Sequence, residues 1–456
     1  VRETDTDFIA GPHTRVEFVQ STMSQSEVVK GYLIRYCGWK DAFEWNLKKD
    51  HNKQSIRAEA DTVISYPKRA HPDHQMHILV KKGQPLLSSP KLSEEDFEYL
   101  PDGVGKSISD YNSYMHRRRF ISNPKDPENK GLMSYIRPDG RVGCGVNNFN
   151  TATSRSTQYK WVNAPSESAL YGEEIRKIII APEGRKLVGT DMKSAQLAIA
   201  AYYANNSEYY EAVASGQEVE KDAEGNEIYI GQSAHCHSAR NFGMVTQEEF
   251  ERAKATQDPE LLHSIMLRRK GSKAASFGVI FGCAGKLLAK MLGIPESQGN
   301  QKKDNFLNQM GLAGVAAWLE GCKTKYKRGK GWYIPVPMGY WVFCKSDHKS
   351  INYLIQSTEA ICQKLACNYF NRHKEGRGIT SSIKVLDQHD ENLHECDEDE
   401  TDKVGKLTTE AYKYASDEVY KWHMANPDKF PNQGSPTFAF NLDGGYKVGD
   451  NYLETH

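Results

Sequence analysis

The sequence predicts an α+β chain, with helical lobes inserted around a small antiparallel sheet, and three stretches carry that expectation. Lys186-Leu187-Val188-Gly189-Thr190 is an apolar run of strand length that ends at Asp191, and helical spacing follows from about Ser194 to Ala204. Ile383 to Glu395 has a strand–turn–strand pattern. Residues 235–330 and 404–424 are helical in spacing, with breaks near Gly243, Gly293-Ile294-Pro295 and Gly329 to Gly331.

The remaining elements follow in chain order. Ser21, Thr22, Ser24 and Ser26 precede Val28, Val29, Tyr32, Leu33 and Tyr36 at helical spacing, so Ser24 or Ser26 is the expected N-cap. Residues 47–90 are rich in Lys, His, Pro and Ser and read as an excursion between helices, with one strand-like run, Met76 to Val80. Leu92 to Tyr99 opens another helix, its first turn loaded with acids by Ser93-Glu94-Glu95-Asp96. Residues 130–150 alternate around Pro138-Asp139-Gly140 and predict a hairpin.

Length and composition bound the class. At about 150 residues per lobe, 456 residues make roughly three lobes. With 38% hydrophobic and 26% charged residues, collagen-like, low-complexity and disordered classes are excluded. A mean hydropathy of −0.67 and the lack of an apolar run near 18 residues exclude a membrane-spanning helix; the longest candidate is Leu197 to Ala204. Residues 1–25 have no apolar core for a signal peptide, and Val at position 1 reads as a fragment or processed product. Lys plus Arg and Asp plus Glu are 59 each, so a nucleic-acid partner must be argued from local charge. Nine Cys without a C-x-x-C indicate neither a zinc ribbon nor a disulfide framework, and the compartment reads as reducing.

Local charge is most organised in Arg269 to Gly282. Arg269, Lys273, Phe277 and Phe281 are spaced four apart, and on a helix four residues rise about 6 Å and turn about 40° past a full turn. They would form one stripe with cations at one end and rings at the other, suited to a polyphosphate joined to a flat base. The same stripe also suits a helix with a solvated basic end and a buried aromatic end. Asp191 after its strand and Asp390 in Asp387-Gln388-His389-Asp390-Glu391 are carboxylates of the kind that hard divalent cations bind. Alternatively, Asp191 caps a helix and 387–402 is a solvated acidic loop. Asn352 and Gln356 present two amides on one helix face, fit for minor-groove acceptors or for ordinary surface roles. Thr151 to Thr157 is hydroxyl-rich with one Arg, suited to phosphate or sugar contacts. His235-Cys236-His237 invites zinc but lacks a second ligand pair.

Taken in order, these segments resemble the polymerase half of a family A DNA polymerase, the group of bacterial polymerase I and of replicative enzymes of short-tailed phages. The resemblance runs from about Val16 to His456. Ser24 to Trp39 is similar to the first thumb helix, while Thr151 to Thr157 and Asn163-Ala164-Pro165 resemble the T-x-T-G-R and N-I-P segments. Glu174-Ile175-Arg176 and Ala181 to Gly184 resemble the approach to motif A, Asp191 to Ala198 motif A, and Arg269 to Gly282 motif B. Asn352 to Gln356 resembles a palm helix, and His389-Asp390-Glu391 motif C.

The resemblance implies a right-hand polymerase with a small antiparallel palm sheet and helical thumb and fingers. Residues 1–20 would be a remnant leading into the palm, 21–130 the thumb, 131–230 and 346–456 the palm, and 231–345 the fingers. Residues 47–82 would be a thumb insertion, either a grip on duplex or a partner, or a solvated loop. The activity implied is template-directed addition of dNTPs to a primer 3′-hydroxyl by two-metal phosphoryl transfer, in phage genome replication. No 3′→5′ exonuclease domain is expected within this chain. Asp191, Asp390 and the carbonyl of Met192 would hold two Mg²⁺, replaceable by Mn²⁺. His235, Arg269 and Lys273 would bind phosphates, with Lys273 the proton donor to pyrophosphate. Phe277 would pack on the sugar and Phe281 near the templating base. Arg155, Asn352, Gln356 and His389 would track the duplex, and Glu391 would sit by the primer end. Partners would be primer–template DNA, dNTPs and a separate exonuclease polypeptide or processivity factor, with no membrane, in the cytoplasm of a phage-infected bacterium.

The chain departs from the pattern in five places. The gate Glu of motif A, which screens the 2′ position, is Gln196, and its usual Tyr partner is Phe281, so discrimination against ribonucleotides is expected to persist sterically but weaken. Ala198 and Tyr340 stand where the family often has Arg, and Phe277 in place of Tyr implies poor use of dideoxynucleotides. The competing classes are a single-subunit RNA polymerase and a catalytically dead DNA-binding scaffold. Glu391 after His389-Asp390 opposes the first, and retention of Asp191, Asp390, Arg269 and Lys273 opposes the second.

Overall fold

Two units, each with its own core, divide the chain: one runs up to Gly140 and takes in Ser168–Tyr171, the other holds Arg141–Glu167 and everything from Gly172 on. The computed structural model describes residues 20, 22–42, 44–68, 70–97, 99–101, 103–126, 130–161, 164–221, 227–269, 271–388, 390–431 and 434–455.

In the first unit the opening helix, Ser26–Tyr36, buries Leu33 and Ile34 against Trp39, Tyr66, Met76, Leu100 and Ile108. Its N-cap is Gln25, not Ser24 or Ser26, and no side chain caps it. The excursion at 47–90 is more ordered than its composition suggests. It forms two antiparallel ribbons, Glu44–Leu47 with Leu87–Lys91 and Thr62–Tyr66 with Met76–Val80. The helix expected at 92–99 is a single turn, Glu94–Phe97. Buried Asp96 holds that turn, accepting from the Ser93 N–H at 2.7 Å and from Trp39 Nε1 at 2.9 Å. The long helix comes later, at Val104–Ile121.

The hairpin expected over 130–150 is only a turn, with the Gly140 N–H donating to the Arg137 carbonyl at 2.9 Å. Residues Leu132–Tyr135 form a 3-10 turn, and Gly145–Asn147 pairs instead with Thr157–Tyr159.

The second unit is organised by a four-stranded antiparallel sheet. Its strands are β1 (Arg185–Met192), β2 (Ile383–Gln388), β3 (Glu391–Asp397) and β4 (Gly444–Gly449), in spatial order β2-β3-β1-β4. The helices that bear on the site are α1 (Ala195–Tyr203), α2 (Ala234–Asn241), α3 (Pro259–Arg269), α4 (Ser272–Ile280), α5 (Ser350–His373) and α6 (Thr401–Ala425). Leu187 to Thr190 are buried, which is why β1 reads as a continuous apolar run and not as an alternation. Val188 packs against Phe370 of α5 and Val404 and Leu407 of α6, while Thr190 and Asn392 both reach the Tyr412 hydroxyl, at 3.0 and 2.8 Å. At Gly189 the chain's last residues come close: a Cβ there would lie 2.2 Å from the Thr455 carbonyl oxygen.

Four alanines and Leu197 make α1 a strong helix former, and it is buried almost all round. Its two tyrosines still find polar partners in the core: Tyr202 bonds His423 at 2.9 Å and Tyr203 bonds Thr358 at 2.7 Å. The breaks expected in the helical stretch fall where the left-handed backbone appears, as at Gly293, φ 67°. The stripe from Arg269 to Phe281 does not lie on one helix. α3 ends at Arg269 and α4 starts at Ser272; at Gly271 between them the backbone passes close to a neighbouring carbonyl, where a Cβ would be 2.5 Å from Met291 O.

Candidate active site

The register of β1 and β3 pairs Asp191 directly with Glu391, and the Met192 N–H donates to the Asp390 carbonyl at 3.3 Å. Two acids 199 positions apart thus occupy adjoining register positions at one end of the sheet, where β3 turns back to β2. Asp191 is exposed, Asp390 half-buried and Glu391 buried, with Glu391 Oε2 accepting from the Tyr452 hydroxyl at 3.0 Å. Asp191 does not cap α1, whose N-cap is Ser194. Nor is 387–402 a solvated loop, since β3 is buried from Glu391 to Cys396. On the other flank, β4 places Gly444 and Gly445 opposite Met192 and Asp191, and a Cβ on Gly445 would meet nothing within 4 Å. Space is therefore open beside the acid.

This donor set suits a hard cation. Mg²⁺ takes oxygen ligands and is commonly held by one or two carboxylates, with water and substrate phosphate completing the shell. Among the described residues no group of three or more His, Cys, Asp or Glu side chains forms a metal cage, at His235-Cys236-His237 or elsewhere. Cys236 is buried beside Ser233 and Tyr229, and His237 faces Glu208 at 3.6 Å.

The hydroxyl-rich segment 151–157 folds on itself. Thr151 Oγ1 accepts from the Arg155 N–H at 2.9 Å and donates to the Arg155 carbonyl at 3.2 Å. Lys364 of α5 ties it down through Asn148 and Ser156. Arg155 itself forms an ion pair with Glu359, a residue that nothing in the spacing of the sequence marked. The Glu359 side chain is 1% exposed. Its second oxygen, Oε1, accepts from Gln196 Nε2 at 3.2 Å. Burial pushes the Glu359 carboxyl up from its ordinary range, opposed by the Arg155 guanidinium and reinforced by the negative charge of Asp390. Asn352, Gln356 and Glu359 follow one another along one face of α5. Asn352 Oδ1 is buried without a hydrogen-bond partner. His389 lies outside the described residues, as does Asn163.

The cationic cluster is assembled from three helices. His235 of α2, Arg269 at the end of α3 and Lys273 of α4 line a cavity of about 330 Å³ together with His263, Met266 and Leu267. The Ser272 hydroxyl joins the three helices, 3.1 Å from the His235 carbonyl and 2.7 Å from that of Arg269. Burial, then the charges of Arg269 and Lys273, hold the His235 imidazole below its ordinary pKa, so it is neutral at pH 7. Lys273 is exposed; Arg269 is paired with Glu218, a second partner the sequence did not announce. Phe277 is half-buried against the core and Phe281 is 38% exposed, with ring centroids 6.0 Å apart.

A small antiparallel sheet carrying acids at one end, flanked by two long helices and a cation-lined helical lobe, is a polymerase-type α+β fold. The comparisons agree. The family described as DNA polymerase family A matches residues 113–421, and the chain belongs to that family. It is 24% identical over 340 residues to DNA polymerase I of Pseudomonas aeruginosa, covering 71% of this chain and 32% of that protein. Thermostable DNA polymerase I of Thermus aquaticus is 24% identical over 292 residues, 61% of this chain and 31% of that one. The DNA-directed DNA polymerase of Escherichia phage Phieco32 is 22% identical over 371 residues, covering 70% of this chain and 59% of the phage protein. Among solved structures, the POL domain of Pol1 from M. smegmatis in complex with DNA primer-template and dNTP matches with a TM-score of 0.58 and 18% identity, over 80% of this chain and 57% of that one. The chain spans about a third of the length of its bacterial relatives. Among the described residues no helix is long and apolar enough to cross a membrane.

Proposed function

We propose that this chain is a template-directed DNA polymerase that adds dNTPs to a primer 3′-hydroxyl by two-metal phosphoryl transfer, in the cytoplasm of a phage-infected bacterium. The observation that carries the reading is the strand register that sets Asp191 against Glu391 and bonds Met192 to Asp390. The similarity to a phage polymerase and to a domain described with primer-template and dNTP supports it.

In this reading 21–130 is the thumb, with 47–82 as its insertion, 231–345 the fingers, and 131–230 with 346–456 the palm, which holds the sheet, α5 and α6. Asp191, Asp390 and the Met192 carbonyl hold the divalent ions, Mg²⁺ or Mn²⁺, which when bound lower the pKa of the primer hydroxyl and neutralise charge on the departing pyrophosphate. Arg269 and neutral His235 bind the triphosphate, and Lys273, a cation, gives its proton to the leaving pyrophosphate. Phe277 packs on the sugar, Phe281 lies near the templating base, and Gln196 sits under the 2′ position. Arg155, Asn352, Gln356 and His389 run along the minor groove of the duplex, where amides and guanidinium find acceptors on every base pair. Glu391 braces the primer end. Closure of α4 over a matched nucleotide brings Lys273 and Phe277 into place only then.

Primer extension with Mg²⁺ and, separately, dNTPs and rNTPs tests the reading. Extension should occur with dNTPs and fall about a thousandfold or more in Asp390→Ala, with the thermal midpoint retained. Undiminished product from Asp390→Ala removes the two-carboxylate assignment, and extension confined to rNTPs makes the chain an RNA polymerase.

A further inference from the structure

Glu359 is the most deeply buried acid near the sheet end, and each of its oxygens has a different task. Oε2 holds the Arg155 guanidinium, and Oε1 accepts the Gln196 side-chain N–H at 3.2 Å. An isolated carboxylate in this position would be strongly disfavoured, so it persists because both partners reach it. The three residues come from three separate places: the loop at 151–157, the first turn of α1, and the middle of α5.

The carboxylate also fixes the chemistry its partners present. A glutamine amide can turn either end forward, but an ionised carboxylate accepts only, so the NH₂ of Gln196 must face Glu359. Gln196 Oε1 is thereby left as a buried acceptor with no partner, and Arg155 Nε as a buried donor with no partner. Such orphaned atoms cost stability and are kept where something else completes them. One acceptor and one donor, held by a single acid beside Asp390, are a ready-made cradle for a sugar and an adjoining strand end.

We propose that Glu359 is a positioning residue that aims Gln196 at the incoming sugar and Arg155 at the primer terminus, and so sets selection between dNTP and rNTP. The inference rests on the polymerase reading above. Glu359 need not touch the substrate; it acts through the two side chains it holds.

The hydrogen bond between positions 196 and 359 can be exchanged end for end, which gives the test. Single-nucleotide incorporation is measured for the wild type, Glu359→Gln, Gln196→Glu and the double variant Gln196→Glu/Glu359→Gln, with kcat and KM taken separately for a dNTP and its rNTP. Glu359→Gln is near-isosteric, and a thermal melt of each variant separates misfolding from misalignment. Glu359→Gln should lower kcat on the order of tenfold and change the dNTP/rNTP ratio. Gln196→Glu, which sets two acids around one arginine, should do the same. The double variant restores one acid and one amide to the cluster, and kcat and the ratio should return to within a few-fold of the wild type. Losses that multiply in the double variant, or a Glu359→Gln variant with unchanged ratio, overturn the inference while leaving the polymerase reading standing. A folded wild type that extends no primer overturns both.

Discussion

Two of the arginine–glutamate pairs in the second unit, Arg155–Glu359 and Arg269–Glu218, are built from the same groups to different ends. In the Arg155–Glu359 pair the side chains are 14% and 1% exposed, and the acid's other oxygen is taken by Gln196. In the Arg269–Glu218 pair they are 17% and 21% exposed, Glu218 Oε1 and Arg269 Nε are unpartnered, and a cavity lined by Lys273 and His235 lies alongside. The first pair is a support: both oxygens of its acid are engaged, although Arg155 Nε, like Arg269 Nε, has no partner. The second is a place-holder: a polyphosphate entering the cavity offers Arg269 more anionic oxygens than one carboxylate does.

The largest effect expected from this contrast is on stability. Arg155→Ala strands a buried acid and should cost about 3 kcal/mol in urea denaturation, near the lower end for a broken buried pair because the carboxyl can take up a proton. Its sign with pH follows. A carboxyl whose folded pKa is raised carries more protons folded than unfolded, so the variant should lose further stability as pH rises above 4.5, the reverse of ordinary acid unfolding. A flat pH profile with a loss under 1 kcal/mol would make the two pairs equivalent.

Next in size is the open pair. Arg269→Ala should leave stability within about 1 kcal/mol of the wild type, as for a partly exposed pair, while KM for dNTP rises roughly tenfold to a hundredfold. Glu218→Gln should move KM the other way, by a few-fold, because it removes the competing anion. A rise in KM for Glu218→Gln would show that Glu218 orients Arg269 for the nucleotide, and the distinction between support and place-holder would fall.

The smallest effect lies on His235. Its pKa is lowered by burial and then by Arg269 and Lys273, so Lys273→Met should let it climb part of the way back toward 6.5 in an NMR titration. His237 is lowered too, to about 4, by burial and then by Arg240. Histidines with lowered folded pKa bind protons better when unfolded, so the stability they allow at pH 7 is lost as pH falls below about 6.5. An imidazole unmoved by Lys273→Met would mean that burial alone sets it.

The fold was legible wherever local pattern and burial agree. β1 reads as an unbroken apolar run because both its faces are covered, and β2 and β3 read as a hairpin because their turn is local. Of the ribbons in the first unit, Met76–Val80 was legible as a strand, whereas Leu87–Lys91 was not, because Ser88, Ser89 and Pro90 break any alternation. β-pairs of three residues, such as Gly145–Asn147 with Thr157–Tyr159, are too short to show a period at all. In the site, the acids at 191 and 390 and the cations at 269 and 273 stand out by residue type and order. Glu359 and Glu218 do not, because their meaning lies in partners 204 and 51 positions away. One clue was present: Glu359 is the only charged residue among Ser357 to Cys362, a run otherwise fit for a core.

The interruption at Gly271 alters what the basic segment can grip. On an unbroken helix the gap between Arg269 and Lys273 would be fixed by the pitch, like teeth on a comb. Here each cation rides its own arm, and the Ser272 hydroxyl is the rivet between them, bonded to the backbone of Arg269 on one side and of His235 on the other. The spacing of the jaws is therefore set by a riveted joint and not by the helical pitch.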